Sequence, residues 1–501
     1  MIRKILFLPL TFTFLLTACL PVGQLQVEIE TPVTGEQSLT EVVVTEESVL
    51  PTETPAATEE PAPALAGTVT GTVCYPSEFI PAMHAYFRNA NTGELTELAI
   101  AENQTAYRFE LPAGTYEAFA YLQSGELGGS YSQAVVCGLS VECVDHSLVA
   151  FDIQAGQTTE KIDLCDWYDQ LALPVNPKAS IVADPALAGL IYQNLSANSL
   201  WQVNANGQAT PALAWGDMNT VVSPDGTQAI YFKNDDVWLA NLTAGTWRNL
   251  TNTPDRVEYP AFWVPGTDLV GLSSYNPAES DGLPAWQLTF VRLDGTGYEV
   301  VDLGAMWGSP AVSPNGDVVA YDVGGEPRLY RIGSGVEAFD PAQHGLSNFN
   351  TFSAPAFSPD GTKLAWWVSG PVNDGGTQVA LAVRDLAADT VALLYVYTPI
   401  SGEGFINPVW SPDGQWIAAN VIGDGSRNAL WVFKADGNEQ HLIGDGAEPV
   451  WSPASNALLF IQWTGGAAWE GVLNRVVLGD WSMSPLAMPA GSLPLAWVSG
   501  Q

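Results

Sequence analysis

The sequence has few basic residues. Its 501 residues include 17 Lys and Arg against 54 Asp and Glu, which gives a formal net charge of −37. A surface of this sign repels phosphate backbones and anionic lipid headgroups, so nucleic acid is excluded as a partner. Charged residues are nevertheless only 14% of the chain, and Gly, Pro, Trp and Tyr are plentiful. This composition is typical of an exported all-β protein and not of a disordered acidic one.

Catalytic and metal-binding motifs are also missing. The sequence contains no Gly-x-Ser-x-Gly nucleophile elbow, no His-Glu-x-x-His zinc motif, no P-loop and no dinucleotide fingerprint. Turns such as that at residues 373–375 offer a single carboxylate, which predicts a plain turn and not a calcium loop. We therefore expect no enzyme activity, no cofactor and no metal. The histidines lie in unrelated segments, at His84, His146, His344 and His441.

The apolar runs are too short for a transmembrane helix, because none reaches about 18 uninterrupted residues. At the N-terminus, two basic residues precede an apolar run over 5–16, which is typical of a secretory signal peptide. The run ends in Leu-Thr-Ala-Cys at 16–19, which resembles the lipobox of bacterial lipoproteins. The resemblance implies that 1–19 is the signal peptide and that the thiol of Cys19 carries the lipid. An ordinary cleaved signal with an incidental cysteine is the alternative.

Residues 20–66 have the composition of a linker. They are rich in Thr, Glu, Pro and Val, and they contain nine glutamates but no Lys or Arg. Because like charges repel and prolines stiffen the backbone, we predict a disordered, extended spacer. It would lift the folded part of the protein off the membrane.

A folded region is predicted over 67–170. The run Tyr-Arg-Phe-Glu-Leu-Pro-Ala-Gly-Thr-Tyr at 107–116 alternates between apolar and polar residues on both sides of a Pro-Ala-Gly turn, which predicts a β-hairpin. This run resembles the Phe-x-Leu-Pro-Ala-Gly-x-Tyr turn of the carboxypeptidase-regulatory-like, or prealbumin-like, β-sandwich. The resemblance implies a sandwich that acts as a spacer or adaptor.

Four cysteines lie inside this region, at Cys74, Cys137, Cys143 and Cys165. Four cysteines in one exported domain predict two disulfides, for which three pairings exist. We favour Cys74 with Cys165, which joins the first strand to the last, and Cys137 with Cys143, which closes a short loop. A zinc site that includes His146 is the alternative, although the gap between Cys137 and Cys143 is longer than the usual Cys-x₂₋₄-Cys spacing.

The rest of the chain, over 185–501, repeats a short motif. An apolar strand runs into Ser-Pro-Asp-Gly or a close variant, with strong copies at 221–226, 311–316, 356–361 and 409–414. Weaker copies lie at 262–266, 450–454 and 495–498. The prolines at 224, 265, 314, 359, 412 and 453 are spaced by 41, 49, 45, 53 and 41 residues. Repeats of this period predict a propeller or a similar array.

Each repeat holds four strands, which together make one blade. The motif resembles the TolB-like propeller repeat, most closely at 247–253 followed by 260–263. The chain ends with a lone first strand at 493–498, whereas the segment 188–214 has later strands without a first one. Joining the two ends would complete a blade and close the ring. We therefore predict an all-β protein with a seven-bladed β-propeller after the sandwich; six blades, as in TolB itself, are the alternative.

Candidate partner-binding residues lie just before the innermost strands, which line one mouth of the channel in a propeller. They are Asn219, Glu258, Tyr259, Ser309, Ser353, Asn407 and Glu448. Their types vary between repeats, while the strand and turn residues after them recur. Solvent exposure alone would also explain polar residues here. The mixture of donors and acceptors with little positive charge predicts a polar or basic partner segment.

These features favour a non-catalytic scaffold that binds an envelope protein or peptide. We expect it to be exported and lipid-anchored to the cell membrane or outer membrane. The first alternative is a carbohydrate or cell-wall glycan binder, suggested by the domain order and the aromatic content. The second is a propeller-type hydrolase. Most tryptophans favour packing between blades over sugar stacking, because they fall at repeat-equivalent strand positions such as Trp238, Trp410, Trp431 and Trp451.

The anchor generates the first prediction. Cys19→Ser should leave the protein soluble or unprocessed, because no other segment is expected to hold it to a membrane. Membrane fractionation after a high-salt wash, compared with the wild type, measures this. A processed Cys19→Ser protein that stays with the membranes would contradict the lipoprotein hypothesis.

Overall fold

The computed structural model describes residues 66–123, 127–168, 173–195, 198–213, 220–279, 286–306, 309–372, 375–399, 406, 408–421, 429–462, 471–489 and 491–499. Strands dominate these residues, so the predicted all-β class is confirmed. Three predicted sites lie outside the described residues, namely Cys19, Asn219 and Asn407; so does the predicted linker as far as residue 65. Within the described ranges, no helix has both the length and the apolar character needed to cross a bilayer.

The N-terminal unit consists of two sheets around one core. Strand order is β3-β2-β5-β6 in one sheet, with β7 also paired to β5, and β4-β1-β8 in the other. Both sheets contribute fully buried side chains to the core, such as Val69 and Leu111 from one and Phe87 and Ala118 from the other. The elements are β1 Ala66–Thr72, β2 Met83–Asn89, β3 Leu95–Ile100, β4 Ala106–Pro112, β5 Gly114–Leu122, β6 Gly128–Ser130, α1 Gln133–Cys137, β7 Phe151–Ile153 and β8 Thr158–Thr159.

The predicted hairpin at 107–116 is wrong. Strands β4 and β5 are adjacent along the chain, but β4 pairs with β1 while β5 pairs with β2, β6 and β7. The Pro-Ala-Gly segment therefore carries the chain from one sheet to the other. Alternation and turn residues are the same in both arrangements, so the local sequence does not distinguish a hairpin from a crossing between sheets.

Two disulfides lie in this unit. Cys74 is bonded to Cys165, 91 residues away, and Cys137 is bonded to Cys143, six residues away. These are the pairs that the sequence favoured. The first joins the segment after β1 to the segment that follows β8, so it closes the unit across most of its length.

The C-terminal region consists of antiparallel sheets, most of which have four strands. The strands are β9 Ile181–Val182, β10 Leu190–Asn194, β11 Ser199–Val203, β12 Gln208–Leu213, β13 Val221–Val222, β14 Gln228–Lys233, β15 Asp236–Asn241, β16 Thr246–Asn249, β17 Val257–Trp263, β18 Leu269–Tyr275, β19 Trp286–Arg292, β20 Glu299–Met306, β21 Ala311–Val312, β22 Val318–Val323, β23 Glu326–Arg331, β24 Gly335–Ala338, β25 Thr351–Phe357, β26 Lys363–Pro371, β27 Thr377–Asp385, β28 Thr390–Tyr397, β29 Val409–Trp410, β30 Trp416–Val421, β31 Ala429–Lys434, β32 Gln440–Asp445, β33 Ala447–Trp451, β34 Ala457–Gln462, β35 Val472–Val477, β36 Met483–Pro485 and β37 Ser492–Trp497.

The last strand closes the ring. Strand β37 pairs antiparallel with β10, in the sheet order β37-β10-β11-β12-β9, and residue Leu190 lies opposite Trp497. The Trp497 indole donates a hydrogen bond to the Ala188 carbonyl at 3.1 Å. One blade is therefore assembled from the two ends of the propeller region, which links the first repeat to the last.

The number of blades depends on how one sheet is counted. Strands β17–β24 form a single eight-stranded sheet, but only the pair Met306–Val323 joins β20 to β22. Counted as two four-stranded units, this sheet brings the described units of the ring to seven, of which the one that contains β37 has five strands. Counted as one, it leaves six sheets in the ring.

The repeated motif forms a tight turn and holds neighbouring blades together. Ser223 donates to the Asp225 carboxylate at 2.6 Å and accepts from the Gln228 amide at 2.9 Å, and Gly226 supplies the left-handed backbone at φ 73°. Indoles of the first strands donate to carbonyls of the preceding first strand. These bonds run from Trp263 to Val221, from Trp410 to Ala356 and from Trp451 to Val409, at 2.9–3.1 Å.

The N-terminal unit packs against one blade of the propeller. The Trp247 amide in β16 donates to the Thr92 carbonyl at 2.5 Å. The Arg88 guanidinium lies 5.8 Å from the Trp247 ring centre and pairs with Glu117 at 2.6 Å. This contact combines a backbone hydrogen bond and a cation–π contact; the ion pair with Glu117 lies within the N-terminal unit and holds Arg88 in place.

The disulfides generate a prediction about stability. Closing a 91-residue loop should contribute about 4.6 kcal/mol in the chain-entropy model, and closing a six-residue loop about 2 kcal/mol. Chemical denaturation of Cys74→Ser/Cys165→Ser should therefore show a larger loss than that of Cys137→Ser/Cys143→Ser. Equal losses would show that the long bridge does not restrain the unfolded chain. Mass spectrometry without reduction should find all four cysteines oxidised.

Candidate functional site

The predicted partner-binding residues that the structure describes share one position in the fold. Glu258 and Tyr259 lie at the start of β17, Ser353 in β25 and Glu448 in β33, while Ser309 precedes β21. Consecutive first strands contact one another around the ring, so their N-terminal ends surround the same mouth. The shared location predicted from the repeat agrees with this arrangement, but the five side chains have different environments.

Glu258 is buried and is not available at the surface. Its carboxylate accepts hydrogen bonds from the Val237 amide at 3.2 Å, from Thr253 Oγ1 at 2.7 Å, from Tyr298 Oη at 2.6 Å and from Thr251 Oγ1. Burial, followed by the neighbouring Glu258, raises the pKa of Tyr298, so the phenol stays protonated and donates. This carboxylate binds two adjacent blades together, and the expectation of an exposed Glu258 is corrected.

Tyr259 and Ser353 are also engaged in packing. The Tyr259 ring stacks on Phe232 at 4.8 Å and meets the edge of Trp286 at 5.7 Å. The Ser353 hydroxyl is buried in a crevice of about 20 Å³ between neighbouring blades, beside Phe352 and Trp366. That volume is large enough for one water molecule. Ser309 is half-buried.

Glu448 differs from Glu258. It is half-buried, its backbone is left-handed at φ 55°, and no described residue forms a hydrogen bond or ion pair with its carboxylate. Burial raises the pKa of Glu448 to about 7, from 4.5. Ala354 occupies the corresponding position before a proline in β25 and has φ 51°. Glu448 is thus a carboxyl group at the mouth that lacks a compensating cation in the described structure.

An acidic pocket of about 350 Å³ lies beside Glu258, and the sequence analysis missed it. It is formed by the turns after β14 and β18 and by the segment before β17; its polar lining is Asn234, Asp235, Asp236, Thr253, Asp255, Arg256 and Asn276. The signal that would have found it is the pair of polar turns at 234–236 and 253–256, which no other repeat carries in this form.

The polar groups of the acidic pocket differ in how they are held. Asp236 accepts from the Thr253 amide at 2.8 Å and from Asn249 at 2.7 Å. Arg256 donates to Ser274 at 2.9 Å and to Gln287 at 3.0 Å. No described residue forms an ion pair with Asp235 or Asp255. The pocket therefore offers two carboxylates to a ligand, and its walls are fixed through the Glu258 network.

The described residues contain no group of three or more His, Cys, Asp or Glu side chains arranged to hold a metal ion. The chemistry that the acidic pocket offers is charge attraction and hydrogen bonding to a cationic group.

The two glutamates generate a paired prediction. Glu258→Gln should destabilise the protein by about 2–3 kcal/mol, because the amide removes a charged acceptor from several buried donors. Glu448→Gln should instead change how stability depends on pH. The folded-state pKa of Glu448 is raised, so wild-type stability should fall as the pH rises from 4.5 through 7.

Urea denaturation at pH 5 and pH 8 measures both effects. The loss between the two pH values should be smaller in Glu448→Gln than in the wild type, while Glu258→Gln should be less stable than the wild type at both. An unchanged pH dependence in Glu448→Gln would show that its carboxyl group is solvated at the mouth.

The comparisons with known proteins show no family. No family model matches the chain, and no curated protein matches it. Similar solved structures include oligogalacturonate lyase from Vibrio parahaemolyticus, with 14% identity, a TM-score of 0.46, and coverage of 61% of this chain and 97% of that one. TolB from Acinetobacter baumannii has 15% identity, a TM-score of 0.35 and coverage of 56% and 65%. A puromycin-hydrolysing peptidase from Mycobacterium tuberculosis has 16% identity, a TM-score of 0.42 and coverage of 61% and 54%. The function is therefore argued from the site.

Proposed function

We propose that this protein is an exported, lipid-anchored scaffold whose propeller binds a positively charged segment of an envelope protein or peptide, without catalysis. The observation that carries the proposal is the acidic pocket, which has a volume of about 350 Å³ and two carboxylates, Asp235 and Asp255, that form no ion pair with a described residue. A cationic side chain of the partner would supply the missing charge.

The charge of the whole chain supports this choice of partner. A net charge of −37 creates a negative potential that attracts basic segments and speeds their encounter with the mouth. Within the pocket, Arg256 is held by Ser274 and Gln287, which fixes the single positive group of the lining in one place. A partner with alternating basic and acceptor groups would suit this arrangement.

The rigidity of the pocket supports binding without a large conformational cost. Thr253 lines the pocket and donates to Glu258, and Asp236 accepts from Thr253. The lining is therefore part of the hydrogen-bonded network that joins two blades. A site that is already in place loses less conformational entropy when a ligand binds.

The proposed anchor rests on the sequence. The lipobox at 16–19 and the acidic linker precede β1, which begins at Ala66, the last residue of the predicted linker. The sandwich would then lie between the tether and the propeller along the chain. Through the contact between Thr92 and Trp247 it would hold the propeller in a defined orientation above the membrane.

Calorimetric titration with synthetic peptides tests the binding proposal. An arginine- and lysine-rich octapeptide should bind, and a glutamate-rich octapeptide should not. Asp235→Asn/Asp255→Asn should weaken binding of the basic peptide by about two- to thirtyfold, because each exposed charge pair contributes about 0.2–1 kcal/mol. Affinity should also fall as salt is added.

A matched control separates the acidic pocket from the general charge of the protein. Glu102→Gln/Glu142→Gln removes two exposed carboxylates from the sandwich and changes the net charge equally. This variant should bind the basic peptide almost as the wild type does. If both double variants lose affinity equally, attraction is unspecific and the acidic pocket is not the site.

A further inference from the structure

A cluster of aromatic rings lies at the end of the propeller opposite the mouth. Trp416 begins β30, His441 lies in β32, and Trp481 lies in the turn between β35 and β36. The His441 and Trp481 rings stack at 3.7 Å, and Trp416 meets Trp481 at 5.4 Å with an interplanar angle of 75°. We call these three residues the aromatic platform. All three are half-buried, so part of each ring faces solvent.

The platform departs from the repeat in which it is built. Where β30 begins with Trp416, the corresponding second strands begin with Gln228, Leu269, Val318, Lys363 and Ala457. Turns that correspond to the one with Trp481 contain small, aliphatic or polar residues, as at 204–207, 242–245 and 386–389. The blades therefore pack without aromatic rings at these positions. The inner sides of Trp416 and Trp481 pack against a buried cluster that includes Phe460, and their half-exposed remainder meets the imidazole of His441 at the surface.

The backbone at Trp481 gives a second, independent indication. Its φ is 57°, in the left-handed region that glycine and asparagine adopt readily and a bulky residue does not. The corresponding turn of the preceding blade uses Gly437, at φ 79°. Strain of this kind is concentrated at functional sites.

Polar groups surround the rings. Glu439 pairs with His441 at 2.7 Å, and its carboxylate is partly exposed. The Lys434 ammonium lies 5.9 Å from the Trp416 ring centre. A half-exposed aromatic surface next to a carboxylate and an ammonium group suits a sugar ring, whose C–H face packs on an indole while its hydroxyl groups form hydrogen bonds.

We propose that the aromatic platform binds a neutral glycan. The net charge of −37 disfavours polyanionic saccharides, so the ligand is a chain of uncharged hexose or N-acetylhexosamine units. The platform and the acidic pocket lie at opposite ends of the strands, and neither site depends on the other. The protein would then contact a cell-surface glycan through one face and a basic partner through the other.

Saturation-transfer NMR and calorimetry with cellotetraose, chitotetraose and tetragalacturonate test this inference. At least one of the two neutral tetrasaccharides should bind with a dissociation constant on the order of 1 mM or lower, and tetragalacturonate should bind at least tenfold more weakly. Absence of saturable binding by both neutral probes up to about 20 mM, or preference for the acidic probe, would overturn the proposal.

Trp481→Asn is the informative variant. Asparagine tolerates the left-handed backbone, which offsets part of the packing that the indole makes with the core, so the protein should stay folded, whereas glycan affinity should fall at least tenfold. Trp416→Leu, which restores the residue type found at Leu269, should also weaken binding without unfolding the blade.

Trp238→Phe serves as the control, because it removes a half-buried indole from a different blade. It should bind the glycan as the wild type does. Unchanged affinity in a folded Trp481→Asn protein would overturn the proposal. Basic-peptide binding should be unaffected by Trp481→Asn, so a failure at the platform is distinguishable from a failure at the acidic pocket.

Discussion

The pairing of β37 with β10 is the constraint on which the propeller depends. A four-stranded blade has two apolar faces, and each must be buried against a neighbour. Because the C-terminal strand completes the blade begun by β10, the first and last repeats become neighbours and no blade face is left at an open end. The indole-to-carbonyl bonds between first strands, such as Trp410 to Ala356, then hold successive blades at one spacing.

Ring closure also determines which connecting segments meet at each end of the propeller. Connections that lead into the first strands meet at one mouth, where Glu258 holds two blades together and the acidic pocket opens beside it. Turns between the third and fourth strands lie at the other end, where Trp481 and His441 stack. A single repeated architecture therefore gives two surfaces with different chemistry, one anionic and one aromatic, through a few residues that depart from the repeat.

The two glutamates near the mouth have different roles because their surroundings differ. Glu258 is surrounded by hydroxyl and amide donors, which compensate for lost hydration and make it part of the fold. Glu448 has no such donors among the described residues, so burial raises its pKa to about 7. The cross-blade network around Glu258 also orders Thr253 and Asp236, which line the acidic pocket. The stability of the fold and the proposed binding at the acidic pocket therefore depend on the same hydrogen-bonded network.

The sequence by itself determined the all-β class, the four-strand repeat and the joining of the two ends, because period, turn chemistry and strand pattern are local properties that recur. It also favoured the observed cysteine pairs. Only the tertiary structure decided that β4 and β5 belong to different sheets, that Glu258 is buried, and that Asp235 and Asp255 share a pocket. Those facts depend on which parts of the chain pack against one another in three dimensions. A repeat pattern specifies the position of a residue along its strand, but not the donors that a neighbouring blade brings to it.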